Sequence, residues 1–260
     1  MLSQQEILAE MGVKPMWRLR AETEQPAEAR AVAADAASPA PGEETDSIRA
    51  PGSAAMAASP APVALSGDVA TMDWPQLAEA VAACRACTLC EQRKQAVLGV
   101  GDPQADWLFI GEGPGAEEDE RGEPFVGQAG KLLDNMLAAL DLNRHQRVYI
   151  GNTVKCRPPG NRTPSADEMS ACRPYLERQI ALIQPKIIVL LGKAAVHSVL
   201  GEDKSLAAMR GKRYEYAGIP VVVTYHPAYL LRSLPEKAKA WEDLLFARRT
   251  LLTGTTDELF

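Results

Sequence analysis

Four short apolar runs, Asp106–Gly111, Arg147–Gly151, Lys186–Leu191 and Pro220–Thr224, constrain this chain more than any other feature. They are rich in Ile, Val and Leu, as strands buried on both faces are. Between and around them lie stretches with helical periodicity: Trp74–Cys90, Gly127–Leu140, Ser165–Gln184, Gly192–Leu200 and Glu236–Leu252. Alternating strands and helices predict a three-layer α/β/α sandwich with a central four-stranded parallel sheet, spanning 74–253. Ligands of such sheets bind beyond the carboxyl ends of the strands. The unusual residues of this chain fall there: Gly111-Glu-Gly-Pro-Gly115 after the first run, Asn152 after the second, Gly192 after the third and His226 after the fourth.

Outside that domain the chain changes character. From Pro26 to Ala70 about a third of the residues are Ala, with scattered Pro, Gly and Ser. Such a stretch offers few large apolar groups to bury, so residues 1–73 are expected to be a disordered extension. Within it, Leu2, Ile7, Leu8, Met11, Trp17 and Leu19 read equally as a short docking helix over 2–20 or as a frayed tail. Residues 1–73 hold 11 acids and 5 bases, and 74–260 hold 23 of each, so the whole net charge of −6 belongs to the extension. The domain is left free to present a basic face to a phosphate backbone. No apolar run approaches the roughly 18 residues of a membrane span, and Met1–Glu10 lacks the apolar core of a secretory signal. The expectation is a cytoplasmic protein.

Thiols stay reduced in that compartment, and an odd count of five cysteines argues against a disulfide framework. Cys84, Cys87 and Cys90 repeat a CxxC spacing, and Cys156 and Cys172 follow some seventy residues on. A close pair plus two distant thiols suits tetrahedral zinc or a cubane iron–sulfur cluster equally well. Spacing does not choose between them, nor between Cys84/Cys87 and Cys87/Cys90. Cys90 reads equally as a small buried apolar residue.

The loop Gly111–Gly115 runs into Ala116-Glu-Glu-Asp-Glu120. Glycines after a strand often cradle phosphate, but no Gly-Lys-Ser/Thr follows and consecutive acids repel phosphates. Glycines also let the backbone approach a flat ligand, with Glu112 or Glu118 free for water or proton chemistry. Glu117, Asp119 and Glu120 read as a solvated acidic face. Phe125 suits stacking on a planar base, although a lone Phe is more often core. The Asn152 amide can pair with a base edge or cap a turn. His226 is placed to donate to an oxygen gaining negative charge, whereas His145 and His197 read as structural or exposed. Tyr229-Leu-Leu-Arg232 suits a loop that wedges into a duplex and grips phosphate, or an ordinary helix start. Lys155, Arg157, Arg162 and Arg173 surround Cys156 and Cys172, where they can contact phosphates, compensate an anionic cluster or simply be solvated.

The segments GEGPGAEEDERGEPFVGQAGKLLDNML, NTVKCRPPGNRTPSADEMSAC, IIVLLGKAA and MRGKRYEYAGIPVVVTYHPAYLLR, in that order, resemble the family 4 uracil-DNA glycosylases of bacteria and archaea, which carry a [4Fe–4S] cluster. The resemblance covers about residues 75–250. It implies a uracil-DNA glycosylase-like fold and a monofunctional DNA repair enzyme that hydrolyses the N-glycosidic bond of uracil in single- or double-stranded DNA, leaving an abasic site. Carried over, the cluster ligands are Cys84, Cys87, Cys156 and Cys172, with Cys90 an extra. The uracil pocket is Glu112, Gly113, Pro114, Phe125, Asn152 and His226: Phe125 stacks on the base, Asn152 reads its edge and His226 stabilises the departing anion. DNA contacts fall to Arg157, Arg162, Tyr229, Leu230 and Arg232. The best-known uracil glycosylases have Asp and Tyr where Gly113 and Gly115 stand, so water activation passes to Glu118, with Glu112 and Asn161 as rivals. A subgroup that forms a covalent product uses a histidine in a basic loop; Arg157–Pro164 has none, implying turnover.

Two readings compete: a non-catalytic iron–sulfur DNA-binding module of replication or repair, and a zinc-stapled nucleotide hydrolase. The C-terminal Asp257-Glu-Leu-Phe260 resembles clamp-docking peptides, with Leu259 and Phe260 as anchors, or is a frayed end. A monomer associated with the nucleoid is expected.

Overall fold

The computed structural model describes residues 68–254. The expected docking helix over 2–20, nearly all of the Ala-rich extension, and Leu259 and Phe260 lie outside the described residues.

A six-stranded sheet forms the centre, built from β1 (Val100–Gly101), β2 (Trp107–Gly111), β3 (Val148–Asn152), β4 (Ile187–Leu191), β5 (Arg213–Tyr216) and β6 (Ile219–Thr224) in the order β1-β3-β2-β4-β6-β5. The four inner strands are parallel and are the four apolar runs. Every residue of β2, β3 and β4 is buried. The expected four-stranded sheet is thus the middle of a wider, mixed one, because both edge strands are antiparallel. Their sequences hid them. β1 has two residues, and β5 alternates exposed and half-buried side chains around Arg213 and Glu215. A tight turn joins β5 to β6 through Ala217 (φ 50) and Gly218 (φ 82). Two successive positive φ values are what a two-residue hairpin turn needs.

Alternation along the strands divides the core. Leu108, Ile110, Ile188, Leu190, Val221 and Val223 face α4 (Ala166–Ile183) and α5 (Lys193–Leu200). Trp107, Phe109, Ile187, Val189, Leu191 and Val222 face α3 (Gln128–Ala138) and α8 (Glu236–Gly254). These are the three expected layers, and each such fully buried side chain stabilises by about 1.5–3 kcal/mol. Among the described residues no helix is long and apolar enough to cross a membrane.

The helix expected over Trp74–Cys90 is shorter. α1 (Trp74–Ala83) begins with a capping box between Asp73 and Gln76 and ends where Cys84 turns extended (ψ 134). Arg93 takes the carbonyls left open at that end, donating to Ala82 O at 2.7 Å and Cys84 O at 3.0 Å. Cys84–Cys87 is therefore irregular loop, followed by a 3-10 turn at Thr88–Glu91. Order also starts earlier than Trp74: Val69 and Met72 pack against the α1 cluster, and Arg178 Nε donates to Met72 O.

Candidate active site

Parallel pairing aligns the strand ends. Gly111 sits opposite Asn152, and Leu191 opposite Thr224. Beyond β3 the chains stay zipped, with Thr153 N donating to Gly111 O (3.0 Å) and Val154 N to Glu112 O (3.3 Å). The result is a cleft of about 590 Å³ lined by the Gly-rich loop, Phe125, Asn152, Gly192, His226 and Arg232. That volume holds a base with its sugar and phosphates.

Asn152 is 2% exposed, and its Oδ1 finds no donor within the protein. A buried polar atom without a partner costs about 1–3 kcal/mol, so its retention calls for an explanation. Gly111 makes the room: a Cβ there would lie 2.6 Å from Asn152 Oδ1 and 2.5 Å from Phe125 Cζ. The Phe125 ring lies against His226, centroids 5.4 Å apart and planes 30° from parallel. Phe125 itself is left-handed (φ 55). Its carbonyl accepts from Arg144 Nη2 at 2.7 Å, and Gly130 packs so closely that a Cβ would clash with it. Arg144 also pairs with Glu123 and Asp134, anchoring the loop from outside the cleft.

His226 caps α7 (Pro227–Leu230), its Nδ1 accepting from Ala228 N at 3.1 Å. In the neutral ring the proton therefore sits on Nε2. Burial, helped by the nearby Arg232 charge, pulls the imidazole down to about 4 against the opposing pull of Glu118. At neutral pH the ring is an uncharged donor.

The acidic run is not a uniform solvated face. Glu118 accepts from Gly115 N with one carboxylate oxygen (3.0 Å) and from Val126 N (2.9 Å) and Gly127 N (3.0 Å) with the other. It buckles the Gly-rich loop to the Phe125 loop. Asp119 is buried and accepts from Lys94 N at 2.9 Å. Both carboxylates bond to distant backbone, which no local pattern announces. Glu112 lines the cleft half-buried; burial pushes its carboxyl up, and a hydrogen bond from Thr163 opposes that. Gly113 and Pro114 form the wall beside it.

The residues expected at DNA divide. Tyr229 (38% exposed) and Arg232 line the cleft mouth, but Leu230 is 1% exposed, packed with Tyr225 and Ala240. One residue on, Leu231 is 41% exposed. The short helix α7 decides this, because it turns Leu230 inward and Leu231 outward. Arg162 grips Glu168 through two bonds of 2.8 and 2.6 Å, and Arg157 donates to Asn161 Oδ1 at 2.7 Å. Arg162 is therefore an anchored guanidinium, 47% exposed and lining the cleft. His145 and His197 are exposed.

All five cysteines line one small cavity under α1, with Arg93, Lys155 and Tyr175. Ala86 N donates to Cys84 Sγ (3.5 Å), Arg93 Nη1 to Cys156 Sγ (2.8 Å) and Lys155 N to Cys172 Sγ (3.3 Å). Burial pushes the Cys156 thiol up to about 11 and Cys172 to about 12, with Arg93 and Lys155 respectively opposing. A metal bound here would displace these protons to solvent, and N–H donors plus two cations suit an anionic thiolate assembly. No three thiol, imidazole or carboxylate groups among the described residues are close enough to share a single ion. A cubane, held at its four corners, does not ask that of them. Lys155 is buried, its amine pulled down to about 8 by burial.

A family model described as the uracil DNA glycosylase superfamily matches residues 98–245. The type-4 uracil-DNA glycosylase of Sulfurisphaera tokodaii is 48% identical over 165 residues, 60% of this chain and 74% of that protein. The type-4 enzyme of Pyrobaculum aerophilum is 42% identical over 66% of this chain and 92% of its own length. A DNA polymerase of Bacillus phage SP01 is 30% identical over 56% of this chain, but over only 16% of the polymerase.

Proposed function

We propose a mechanism for a chain that belongs to the uracil DNA glycosylase superfamily and, within it, to the type-4 uracil-DNA glycosylases. The chain is a DNA repair enzyme that excises uracil by hydrolysing its N-glycosidic bond. The observation that carries the mechanism is the unmet Oδ1 of Asn152, buried in the cleft that Phe125 and His226 also line. Uracil swung out of the stack lies on the Phe125 ring. Its N3–H donates to Oδ1, and the amide NH₂ faces the O4 carbonyl. Cytosine has no N3–H and offers an amino group in place of O4, so it leaves both ends of the amide mismatched.

As the C1′–N1 bond breaks, negative charge moves onto the base. His226, neutral with its proton on Nε2, donates to that charge. A donor preset for a developing oxyanion supplies about 3–4 kcal/mol. Glu118, anchored by three N–H groups, holds negative charge beside the sugar that turns positive. Because that carboxylate is occupied by backbone, we assign the orientation of the attacking water to Glu112, with the Thr163 hydroxyl fixing its carboxyl. Leu231 and Tyr229 fill the gap in the duplex, and Arg232 and Arg157 meet phosphate. Flipping itself costs a few kcal/mol, least at a mismatch such as U opposite G.

Cys84, Cys87, Cys156 and Cys172 would hold a [4Fe–4S] cluster, with Cys90 spare. Bound there, the cluster supplies a cross-link between the α1 loop and the Cys156–Cys172 segment. A monomeric state, association with the nucleoid and clamp docking through Leu259 and Phe260 belong to the same proposal. Unchanged clamp binding after deletion of those two residues would remove the last.

The phage polymerase match keeps a non-catalytic module as the second reading. A nicking assay separates them. Anaerobically purified protein is given labelled oligonucleotides carrying one U, with T and C controls, and then alkali. Cleavage at U alone is expected. No cleavage by a brown, folded protein would favour the module.

A further inference from the structure

Lys155 is 1% exposed and among the largest fully buried side chains of the described residues. Its Nζ donates to the Asn152 backbone carbonyl at 2.7 Å. Its own backbone is fixed on both sides, the N–H donating to Cys172 Sγ at 3.3 Å and the carbonyl accepting from Val97 N at 2.8 Å. The side chain lines the cavity of the five cysteines. Among the described residues no carboxylate pairs with it. An ammonium has three donors and no acceptor, and a buried charge persists only when paired. One hydrogen bond to a carbonyl is not a counter-charge, whereas a thiolate-held cluster is.

We propose that Lys155 is a positioning residue that couples the thiol lobe to the base-reading amide of Asn152, with the cluster thiolates as its counter-charge. The inference rests on the uracil reading above. The hydrogen bond holds the peptide at the end of β3, the residue whose side chain faces the cleft. Loss of the thiolate charge frees the ammonium to retreat toward water and takes that bond with it. The cluster thereby acts on uracil recognition through one side chain, in addition to stapling the lobe.

The test reads binding rather than turnover. Radiolabelled uracil is titrated into the holoprotein bound to an abasic-site oligonucleotide, and visible absorbance per protein reports the cluster. The proteins are wild type, wild type after oxidative removal of the cluster, Lys155→Met, Lys155→Gln and Asn152→Ala. Lys155→Met is expected to weaken uracil roughly tenfold while keeping the absorbance and the affinity for abasic DNA. Stripped wild type should match it, and stripping Lys155→Met should add nothing. Lys155→Gln keeps a neutral donor for the carbonyl, so it should fall between the two and be insensitive to stripping. If Lys155→Met does not fold, Lys155→Gln and the stripped wild type decide. Wild-type uracil affinity in the Lys155 variants, or in stripped wild type, overturns the coupling. If Asn152→Ala also binds uracil normally, the uracil reading itself has failed; if Asn152→Ala alone loses uracil, only the coupling has.

Discussion

The cleft at the carboxyl ends of the strands and the thiol lobe beside it are built in opposite ways. The cleft is carried by β2, β3 and β6, strands whose pairing fixes Gly111, Asn152 and His226 before any ligand arrives. Its supports are supplied by backbone N–H groups: Ala228 N sets the imidazole, and three N–H groups hold Glu118. What it lacks is one partner, for Asn152 Oδ1. The lobe is gathered from distant parts of the chain, the loop and turn that carry Cys84, Cys87 and Cys90, the loop at Cys156, and Cys172 within α4. Its sulfurs receive N–H bonds and face two cations, yet burial keeps their protons on. In the proposed function a base completes the first region, and a metal assembly completes the second. Catalysis and stability should therefore respond to different substitutions.

His226→Ala should show the largest catalytic effect, a fall in kcat of about 10²–10³ with abasic-DNA affinity and Tm near wild type. Single-turnover kinetics and a melt on the same sample check it, and a matching collapse in Tm would erase the distinction between the regions. Cys172→Ser is the reciprocal case. Loss of a buried ligand should cost at least about 3 kcal/mol of stability, read by denaturant unfolding. Phe125→Ala removes a stacking face worth about 1–3 kcal/mol and should raise KM more than it lowers the melt.

The pH dependence of stability sharpens the comparison further. His226 is neutral when folded down to about 4 but titrates near its ordinary value of 6.5 when unfolded. Between those values the unfolded chain binds a proton that the folded chain refuses, so stability rises with pH across this window and is lost, by up to about 1.4 kcal/mol per unit, as the pH drops from 6.5 toward 4. His226→Gln should flatten that slope. Glu168 acts in a lower window: Arg162 holds its carboxyl down to about 2, so the stability it contributes above 4.5 is lost as pH falls toward 2. The smallest effect belongs to Leu231→Ala, within about 0.5 kcal/mol on stability and visible only as weaker binding to duplex DNA.

The inner strands were legible because burial on both faces leaves continuous Ile/Val/Leu runs, and the site followed because parallel strands deliver their ends to one crevice. Asn152 and His226 could be placed from that rule alone. The edge strands could not, since β5 reads as a charged turn region and β1 is two residues long. The bonding of Glu118, Asp119 and Arg144 was hidden for another reason. Their partners are backbone groups 3–25 residues away, an arrangement that composition does not encode. The exchange of Leu230 for Leu231 is a matter of rotation about a four-residue helix. Motif order survives such a rotation, but the exposed side chain changes.

The claim at the centre is that a neutral imidazole, its proton already on Nε2, stands ready in the same cleft as an unmet acceptor. Nitrogen-15 NMR of His226 in the selectively labelled protein, titrated from pH 8 to 4, measures this directly. The account predicts an Nε2–H signal throughout most of that range and a midpoint of about 4. Protonation near 6.5, or a proton resident on Nδ1, would contradict it.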